Sequence, residues 1–388
     1  MATSPNSKIH SIVFWQQFLS MHQIDLLLAL TKFAKIILVI DRIEDEVRKN
    51  MGWSLGDLTY LDIEIFQSPS NSQLAYIINI PSNTHIFSGF SQGEALKKGL
   101  SLMVKYGIRY VLMAESPDIN KMPLVESILR HIKYSLFFYF NRKLIKGVLA
   151  IGANGVKFYN KMPIENERVQ SFGYFVGLKS SSYIKNDGDD KIRLIYVGRL
   201  VKYKGIIELL NALYLLPDNV KNRVVLKIYG DGPLKNDVIA YFKGINTKIS
   251  IEVFDFVDNY LIRKAVSDSD ILCLTNISDE GWGVVVNEAI LEGTYVVCGE
   301  FTGASILIEK SDTDIGTIIN NVNKETIKAT LVEICENIDY IKSNRGKRKQ
   351  WSLKIFPNSA AVYLLESLLY FNELGDRPIA PWEKINIS

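Results

Sequence analysis

Residues 271–289 read ILCLTNISDEGWGVVVNEA, and this stretch decides the fold that the rest of the chain completes. Its first four residues are apolar and predict a buried strand, and an apolar, helix-like run begins at Val284. Strand, loop and helix in this order are typical of a parallel α/β sheet. Glu280 falls on the loop, and Glu288, eight positions later, falls inside the helix.

The loop of this stretch suits a phosphorylated, hydroxyl-rich ligand. Gly281 and Gly283 would let backbone N–H groups approach a ligand closely, and the start of a helix attracts phosphate. The two carboxylates would accept hydrogen bonds from the hydroxyls of such a ligand. The alternative is an acid pair on the surface around an ordinary turn, because short motifs of this kind also arise by coincidence.

Apolar runs and helical spacings alternate along the rest of the chain, which predicts parallel sheets with helices on both faces. The predicted strands are 11–14, 35–40, 61–66, 84–87, 109–114, 148–151, 193–197, 224–229, 251–254, 271–274 and 295–298. The predicted helices are 24–30, 44–50, 92–106, 124–146, 206–215, 260–267, 288–292, 324–340 and 360–371.

The polar stretch 180–190 lacks periodicity and predicts a linker between two domains, 1–179 and 191–355, followed by a C-terminal segment, 356–388. A length of 388 residues accommodates two domains of ordinary size. The 47% hydrophobic content indicates a globular protein, and a net charge of +3 argues against a broad nucleic-acid surface.

Cysteine and hydropathy patterns suggest a cytoplasmic protein. Cys273, Cys298 and Cys335 lie far apart without a CxxC pair, which predicts buried thiols in a reducing compartment. The longest early uncharged run, 9–24, contains glutamines and a histidine and is too short to span a bilayer. It also lacks a cleavage site of small residues, which argues against a signal peptide.

Two further loops follow predicted strands of the second half. In the first, Gly198 ends a strand, and Arg199 and Lys204 precede a helix. Ligands of open parallel sheets bind beyond the carboxyl ends of the strands, where two cations could stabilise a departing diphosphate. In the second, Gly230 opens the turn Gly-Asp-Gly-Pro after strand 224–229. Taken alone, the first loop is better explained by two solvated bases beside a helix start, and the second is equally consistent with an ordinary strand–helix turn.

Taken in order over about residues 191–300, these three motifs resemble the large group of retaining glycosyltransferases often called family 4, or glycosyl transferases group 1. The resemblance implies the GT-B architecture, in which two Rossmann-like, doubly wound parallel-sheet domains face each other across a cleft. The C-terminal domain would bind a nucleotide-diphosphate sugar, either a UDP-sugar or a GDP-sugar. The N-terminal domain would bind the acceptor, and the last helix, 360–371, would return to it.

The resemblance also assigns roles to individual residues. Arg199 and Lys204 would contact the donor diphosphate, Glu280 the sugar hydroxyls and Glu288 the ribose hydroxyls. The remaining donor-binding residues would contribute close backbone approach, backbone amides for the phosphates, or contact beside the nucleobase, the last from Phe256 and Val257. The others are Gly198, Gly230, Gly281, Trp282, Gly283, Val284 and Val285. The family mechanism retains the anomeric configuration without a covalent protein nucleophile and without a required cofactor.

The first half departs from the family pattern. No glycine follows the first strand, and the histidine that many members carry after a later strand is replaced by Glu115. We expect Glu115 to contact the acceptor or the sugar, the alternative being a helix-capping acid before Pro117. His85 lies within an earlier strand, and such a histidine is more often structural than catalytic.

Metal-binding patterns are weak. Asp268-Ser269-Asp270 precedes a strand and Asp312-Thr313-Asp314 lies in a polar loop, so we expect capping and solvation from both and no required metal. The four histidines have no ligand spacing.

The predicted activity is transfer of a sugar to a hydroxyl, with a lipid-linked bacterial surface glycan, such as O-antigen or capsule, as the expected acceptor. The long helix 124–146 mixes apolar and basic residues, and it is either an ordinary core helix or a surface that meets anionic lipid or a pyrophosphate-bearing acceptor. The protein would then lie in the cytoplasm, with peripheral contact to the plasma membrane. The alternatives are a nucleotide-sugar epimerase of the same fold and a sugar-binding protein without catalysis. A dehydrogenase is disfavoured because no Gly-x-Gly-x-x-Gly follows an N-terminal strand.

Overall fold

A computed structural model describes residues 9–44, 60–117, 122–178, 190–244, 249–255 and 257–383. The chain divides into two compact units, one formed by Met1–Gly177 and Ile355–Pro381, the other by Leu178–Lys354 and Trp382–Ser388. The predicted linker 180–190, apart from its last residue, lies outside the described residues. The predicted helix 44–50, apart from its first residue, and Phe256 also lie outside them.

The first unit is built on a sheet whose seven strands, counted over the described residues, are all parallel and run in the order β3-β2-β1-β4-β5-β6-β7. The strands are Ser11–Gln16 (β1), Lys35–Ile40 (β2), Glu64–Gln67 (β3), Asn83–Phe87 (β4), Tyr110–Glu115 (β5), Ile145–Ile151 (β6) and Val169–Phe172 (β7). The helices are Met21–Thr31 (α1), Asn71–Ile78 (α2), Glu94–Tyr106 (α3), Leu124–Asn141 (α4) and Gly152–Tyr159 (α5).

The second unit has a sheet of six parallel strands among the described residues, in the order β10-β9-β8-β11-β12-β13. The strands are Ile192–Val197 (β8), Val224–Tyr229 (β9), Ser250–Phe254 (β10), Ile271–Leu274 (β11), Tyr295–Gly299 (β12) and Gly316–Ile319 (β13). The helices are Ile206–Tyr214 (α6), Asp218–Lys221 (α7), Lys235–Gly244 (α8), Asn259–Ser267 (α9), Val284–Leu291 (α10), Ser305–Lys310 (α11), Lys324–Glu336 (α12), Ile338–Ser343 (α13) and Arg345–Trp351 (α14).

The last helix, Pro357–Phe371 (α15), belongs to the first unit and packs on α1. Tyr363 donates a hydrogen bond from its hydroxyl to the carbonyl of Ser171 at 3.0 Å. The ring of Phe371 occupies the space that a side chain at Gly147 would need. The long apolar face of α15 is therefore buried against the sheet of the first unit.

Both units carry a buried core of strand and helix side chains, and the predicted α/β class with two parallel-sheet domains is confirmed. One helix prediction is wrong in extent. Helix α4 ends at Asn141, whose side chain binds the carbonyl of Phe137 at 2.8 Å, and Lys146 lies in strand β6 instead. The apolar spacing continues through the turn into β6, which hid the helix end. Strands β7 and β13 and helices α2, α5, α7, α11 and α14 were not predicted, and no bounds were predicted for α8.

Within the ranges that the structure describes, no helix combines the length and the apolar character needed to cross a membrane. All three cysteines are free and buried, as predicted, and burial raises the pKa of the Cys273 thiol to about 12.

Candidate functional site

The loops that follow β9, β8, β11 and β12 lie at one edge of the second sheet, because these four parallel strands are neighbours in that order. Three of the loops carry the sequence motifs. Parallel strands all end at the same edge, so Gly198, Gly230 and Glu280 lie at the carboxyl edge of one sheet. This edge is where open α/β sheets bind their ligands.

Three of these loops, those after β9, β8 and β11, approach one another so closely that only glycine fits at two of their contacts. Gly205 has a φ of +68°, and a Cβ there would overlap the carbonyl oxygen of Thr275. A Cβ at Gly230 would overlap the carbonyl oxygen of Gly198. The glycines therefore serve contact between neighbouring loops as well as any approach to a ligand.

The centre of the site is an ion pair between Lys204 Nζ and Glu280 Oε2. The two residues are 76 positions apart in the sequence, and their side chains are only 11% and 20% exposed. Lys204 lies in the short 3-10 helix Lys202–Lys204 after β8, while Glu280 lies in the loop after β11. The pair joins the first and third motifs, a contact that the sequence analysis did not foresee.

Backbone hydrogen bonds hold both partners of the pair. The N–H of Ile277 donates to the carbonyl of Tyr203 at 2.9 Å, which links the two loops beside the pair. Glu280 donates its N–H to Phe301 and accepts one from Gly303, both at 2.9 Å. The carboxylate is thus presented from a fixed backbone.

The loop after Glu280 leads directly into helix α10. Gly283 has a φ of +87° and precedes the first helical residue, Val284. Trp282 is buried, and its indole N–H donates to the side-chain oxygen of Asn287 at 2.8 Å. Gly281, Gly283, Val284 and Val285 are all half-buried. The buried indole anchors the loop, and the start of the helix remains partly accessible.

Glu288 lies within α10 and is buried. Its Oε1 accepts a hydrogen bond from the side-chain amide of Asn259 at 3.2 Å and lies 3.8 Å from a guanidinium nitrogen of Arg263. Arg263 also pairs with Glu292, at 3.1 Å between Nη2 and Oε1. Asn259 and Arg263 were not predicted, because no motif marks them; only their helical spacing of four on α9 offered a signal.

The remaining donor-site predictions that fall on described residues, Arg199 and Val257, lie at the same edge of the second unit. Arg199 is exposed, and its carbonyl accepts a hydrogen bond from the hydroxyl of Tyr196 at 3.2 Å. Burial raises the pKa of Tyr196, with the Glu280 charge as a smaller cause in the same direction. Tyr196 therefore remains a neutral donor that holds the start of the loop. Val257 is half-buried, shortly after β10.

Glu115 and His85 lie in the first unit. Glu115 ends β5, and its Oε1 accepts a hydrogen bond from the hydroxyl of Tyr174 at 2.9 Å. His85 is buried in β4, where its Nδ1 accepts the indole N–H of Trp15 at 3.1 Å. Burial lowers the pKa of His85 to about 4, so the imidazole is neutral. These contacts agree with a structural histidine and with a carboxylate at a strand end.

One aspartate of each Asp-x-Asp pair has a structural partner. Asp270 is buried and accepts the backbone N–H of Arg193 at 2.8 Å, and Asp312 pairs with Lys354 at 2.8 Å. No cluster of three potential ligands drawn from His, Cys, Asp and Glu occurs in the part of the chain that the structure describes.

Known proteins resemble the second unit in sequence. Residues 182–352 match the family model for glycosyl transferases group 1. The putative teichuronic acid biosynthesis glycosyltransferase TuaC of Bacillus subtilis (strain 168) is 28% identical over 218 residues, which are 52% of this chain and 50% of that protein. The uncharacterized glycosyltransferase MJ1069 of Methanocaldococcus jannaschii is 27% identical over 179 residues, 45% of this chain and 42% of that protein. The chain thus spans half or less of the length of these curated relatives.

Solved structures extend the likeness to both units. Anabaena Alr3699/HepE in complex with UDP and glucose has a TM-score of 0.64 at 14% identity, covering 93% of this chain and 100% of that one. WaaG, a glycosyltransferase involved in lipopolysaccharide biosynthesis, has a TM-score of 0.58 at 15% identity, covering 90% and 98%. At such identities the likeness shows the GT-B fold alone. The resemblance predicted from the ordered motifs is confirmed.

Proposed function

We propose that this chain, whose residues 182–352 match glycosyl transferases group 1, is a retaining glycosyltransferase. It would move a sugar from a UDP- or GDP-sugar to an acceptor hydroxyl. The observation that carries the proposal is the Lys204–Glu280 pair at the carboxyl edge of the second sheet. A largely desolvated lysine beside a carboxylate offers a cation for a diphosphate and an acceptor for hydroxyls in one place.

On donor binding, Lys204 and the exposed Arg199 would contact the diphosphate, and Glu280 would turn to the sugar hydroxyls. The backbone amides from Gly281 to Val285 lie beside Glu280 at the start of α10, where a phosphate is favoured. Glu288, steadied by Asn259, would accept hydrogen bonds from the ribose, with Gly198, Gly230 and Val257 around the nucleotide.

The reaction needs no protein nucleophile. The bond between the anomeric carbon and the diphosphate oxygen breaks, its electron pair leaves with the diphosphate, and Lys204 and Arg199 stabilise the charge that develops. The acceptor hydroxyl attacks the oxocarbenium-like carbon from the same face and gives its proton to a departing phosphate oxygen. The anomeric configuration is retained, and the protein supplies position and charge. No step requires a metal or another cofactor.

The acceptor would bind the N-terminal domain, 1–179, and the donor would bind the C-terminal domain, 191–355. Glu115, whose carboxylate accepts from Tyr174, is the proposed acceptor contact in the first unit. The names of TuaC and WaaG refer to teichuronic acid and lipopolysaccharide biosynthesis. They support a lipid-linked glycan of surface polysaccharide assembly as the acceptor, at the cytoplasmic face of a membrane.

Lys204→Ala and Glu280→Ala test the site. We expect each to reduce transfer of labelled sugar from UDP- or GDP-sugars into membrane lipid extract by about 10²- to 10³-fold, because each removes a group aimed at the reacting diphosphate sugar. The matched control is Lys354→Ala, which breaks an exposed ion pair of the same unit.

All three variants should keep the circular dichroism spectrum of the unchanged protein. Full transfer by both site variants would overturn the site assignment. Conversion of the donor sugar in the absence of acceptor, seen by NMR, would establish an epimerase instead.

A further inference from the structure

Helix α4 carries its apolar residues on the outside. Phe140 is 76% exposed, whereas Phe138, two positions away, is completely buried. The outward face bears eight exposed apolar or aromatic side chains along its full length: Leu124, Val125, Ile128, Leu129, Ile132, Leu136, Tyr139 and Phe140. Their spacing of three and four keeps seven of them, all but Leu124, within one stripe of the helix.

The opposite face of α4 accounts for the packing of the helix on its own unit. Tyr134 and Phe137 contact the ring of Phe90, with ring centroids 4.6 and 3.9 Å apart. His131 contacts Phe158 edge-on at 5.7 Å. Because this face already holds the helix in place, the outward stripe is not needed for the core of the first unit. Soluble proteins seldom expose so many apolar side chains in one row unless the row binds something.

The charges around the stripe are predominantly positive. Over residues 124–143 the chain has four basic residues and one acid, Glu126. Lys133, Arg142 and Lys143 are exposed. The guanidinium of Arg142 also lies 4.4 Å from the ring centroid of Tyr139. Aromatic and basic residues together at the end of an apolar stripe are typical of helices that lie in the interface of an anionic bilayer.

We propose that the outward face of α4 docks on an anionic lipid bilayer, with the helix lying in the headgroup region and the three basic side chains contacting lipid phosphates. An 18-residue helix with its other face packed on protein would lie along the surface. Pairing with a second copy is disfavoured, because it would bring the same positive charges together. The inference goes beyond sugar transfer, since docking requires neither donor nor acceptor.

Sedimentation with vesicles tests the docking surface. The full chain is mixed with vesicles of phosphatidylcholine alone and with vesicles that also contain phosphatidylglycerol. We expect the chain to bind the mixed vesicles much more tightly. The triple variant Leu129→Gln, Leu136→Gln, Phe140→Gln should lose on the order of a hundredfold in affinity for the mixed vesicles, because three apolar side chains no longer enter the bilayer.

A second variant separates charge from apolar contact. Lys133→Gln with Lys143→Gln should weaken binding to mixed vesicles by about 25-fold, at about fivefold for each base, and should leave binding to neutral vesicles unchanged. The matched control, Val104→Gln, Leu374→Gln, Ile379→Gln, replaces three exposed apolar residues of the same unit outside α4 and should bind as the unchanged chain does.

The proposal is overturned if the triple variant binds mixed vesicles as tightly as the unchanged chain, or if the control loses as much affinity. It is also overturned if no vesicle binds and the triple variant instead abolishes a dimer seen by size-exclusion chromatography. All variants should keep the unfolding temperature of the parent, since the substituted side chains face outward. Transfer into detergent-dissolved lipid should be unaffected, which separates failure of docking from failure of the transferase assignment.

Discussion

Two ion pairs of the second unit differ in solvent exposure, and the difference distinguishes a pair that can bind a ligand from a pair that only stabilises the fold. Lys204 and Glu280 pair with side chains 11% and 20% exposed, at the carboxyl edge of the sheet. Arg263 and Glu292 pair between α9 and the end of α10 with side chains each 1% exposed. A ligand can replace a partner only where solvent already reaches the pair. The Arg263–Glu292 pair therefore stabilises the structure around the site but cannot contact a ligand.

The buried pair is also the more connected one. Glu292 lies 3.9 Å from Lys349, and Arg263 lies 3.8 Å from Glu288. Removing one partner of such a network leaves a charge in a place that water does not reach, and that charge costs more than the lost attraction. Because the Lys204–Glu280 pair is partly exposed, water can hydrogen-bond to the remaining partner after a substitution and offset part of the lost interaction.

Arg263→Met should therefore have the largest effect on stability. We expect the free energy of unfolding in urea to fall by about 3–5 kcal/mol, because Glu292 is left buried without its main cation. The control Lys264→Met changes the exposed neighbour on the same helix and should have almost no effect. Adding Glu292→Met to Arg263→Met should restore part of the loss. Equal stability of the Arg263 and Lys264 variants would remove the distinction between the two pairs.

His85 extends the comparison to a buried group that stays neutral. Its pKa is about 4 in the folded protein and about 6.5 when unfolded, so the unfolded chain binds the proton more readily. Stability is therefore fully present above about pH 6.5 and falls by about 3 kcal/mol as the pH drops to about 4. His85→Gln can still accept from Trp15 and should flatten this part of the pH profile.

Urea unfolding across the pH range checks the His85 prediction. His10→Gln replaces an exposed histidine and should leave the profile unchanged. A profile that is equally steep with and without His85 would show that another group titrates in this range.

The smallest effect is expected at an exposed pair. Asp312→Asn breaks the contact with Lys354, where the two side chains are 49% and 37% exposed. Solvent screens such pairs, so the free energy of unfolding should change by less than about 1 kcal/mol, and less again in high salt. A loss of unfolding free energy as large as that of Arg263→Met would mean that solvent exposure does not determine how much each ion pair contributes to stability.

The periodic parts of the fold were predictable from the sequence. Strands such as Lys35–Ile40 and Val224–Tyr229 were predicted with their observed bounds, because a short β-branched run between polar residues has few other interpretations. Strand β7, Val169–Phe172, was missed because four residues with two polar members carry little pattern. The end of α4 was missed because an apolar spacing does not record where the backbone turns.

The motif residues of the candidate site could be identified from the sequence, but their contacts could not. Lys204 and Glu280 were singled out separately, and their pairing depends on β8 and β11 being neighbours in the sheet. The order of strands is a long-range property that local pattern does not contain. Arg263 was missed for the same reason: its partners, Glu288 and Glu292, lie on another helix.

The glycines between the loops have a consequence for engineering. At Gly205 and at Gly230, the backbone of one loop touches the carbonyl oxygen of a neighbouring loop with no side chain between them. The backbones of neighbouring loops are complementary in shape. A single loop grafted from a relative would therefore pack against a loop whose shape fits a different partner. Chimeras that aim to change donor choice should transplant 198–205, 230–233 and 275–283 as one block.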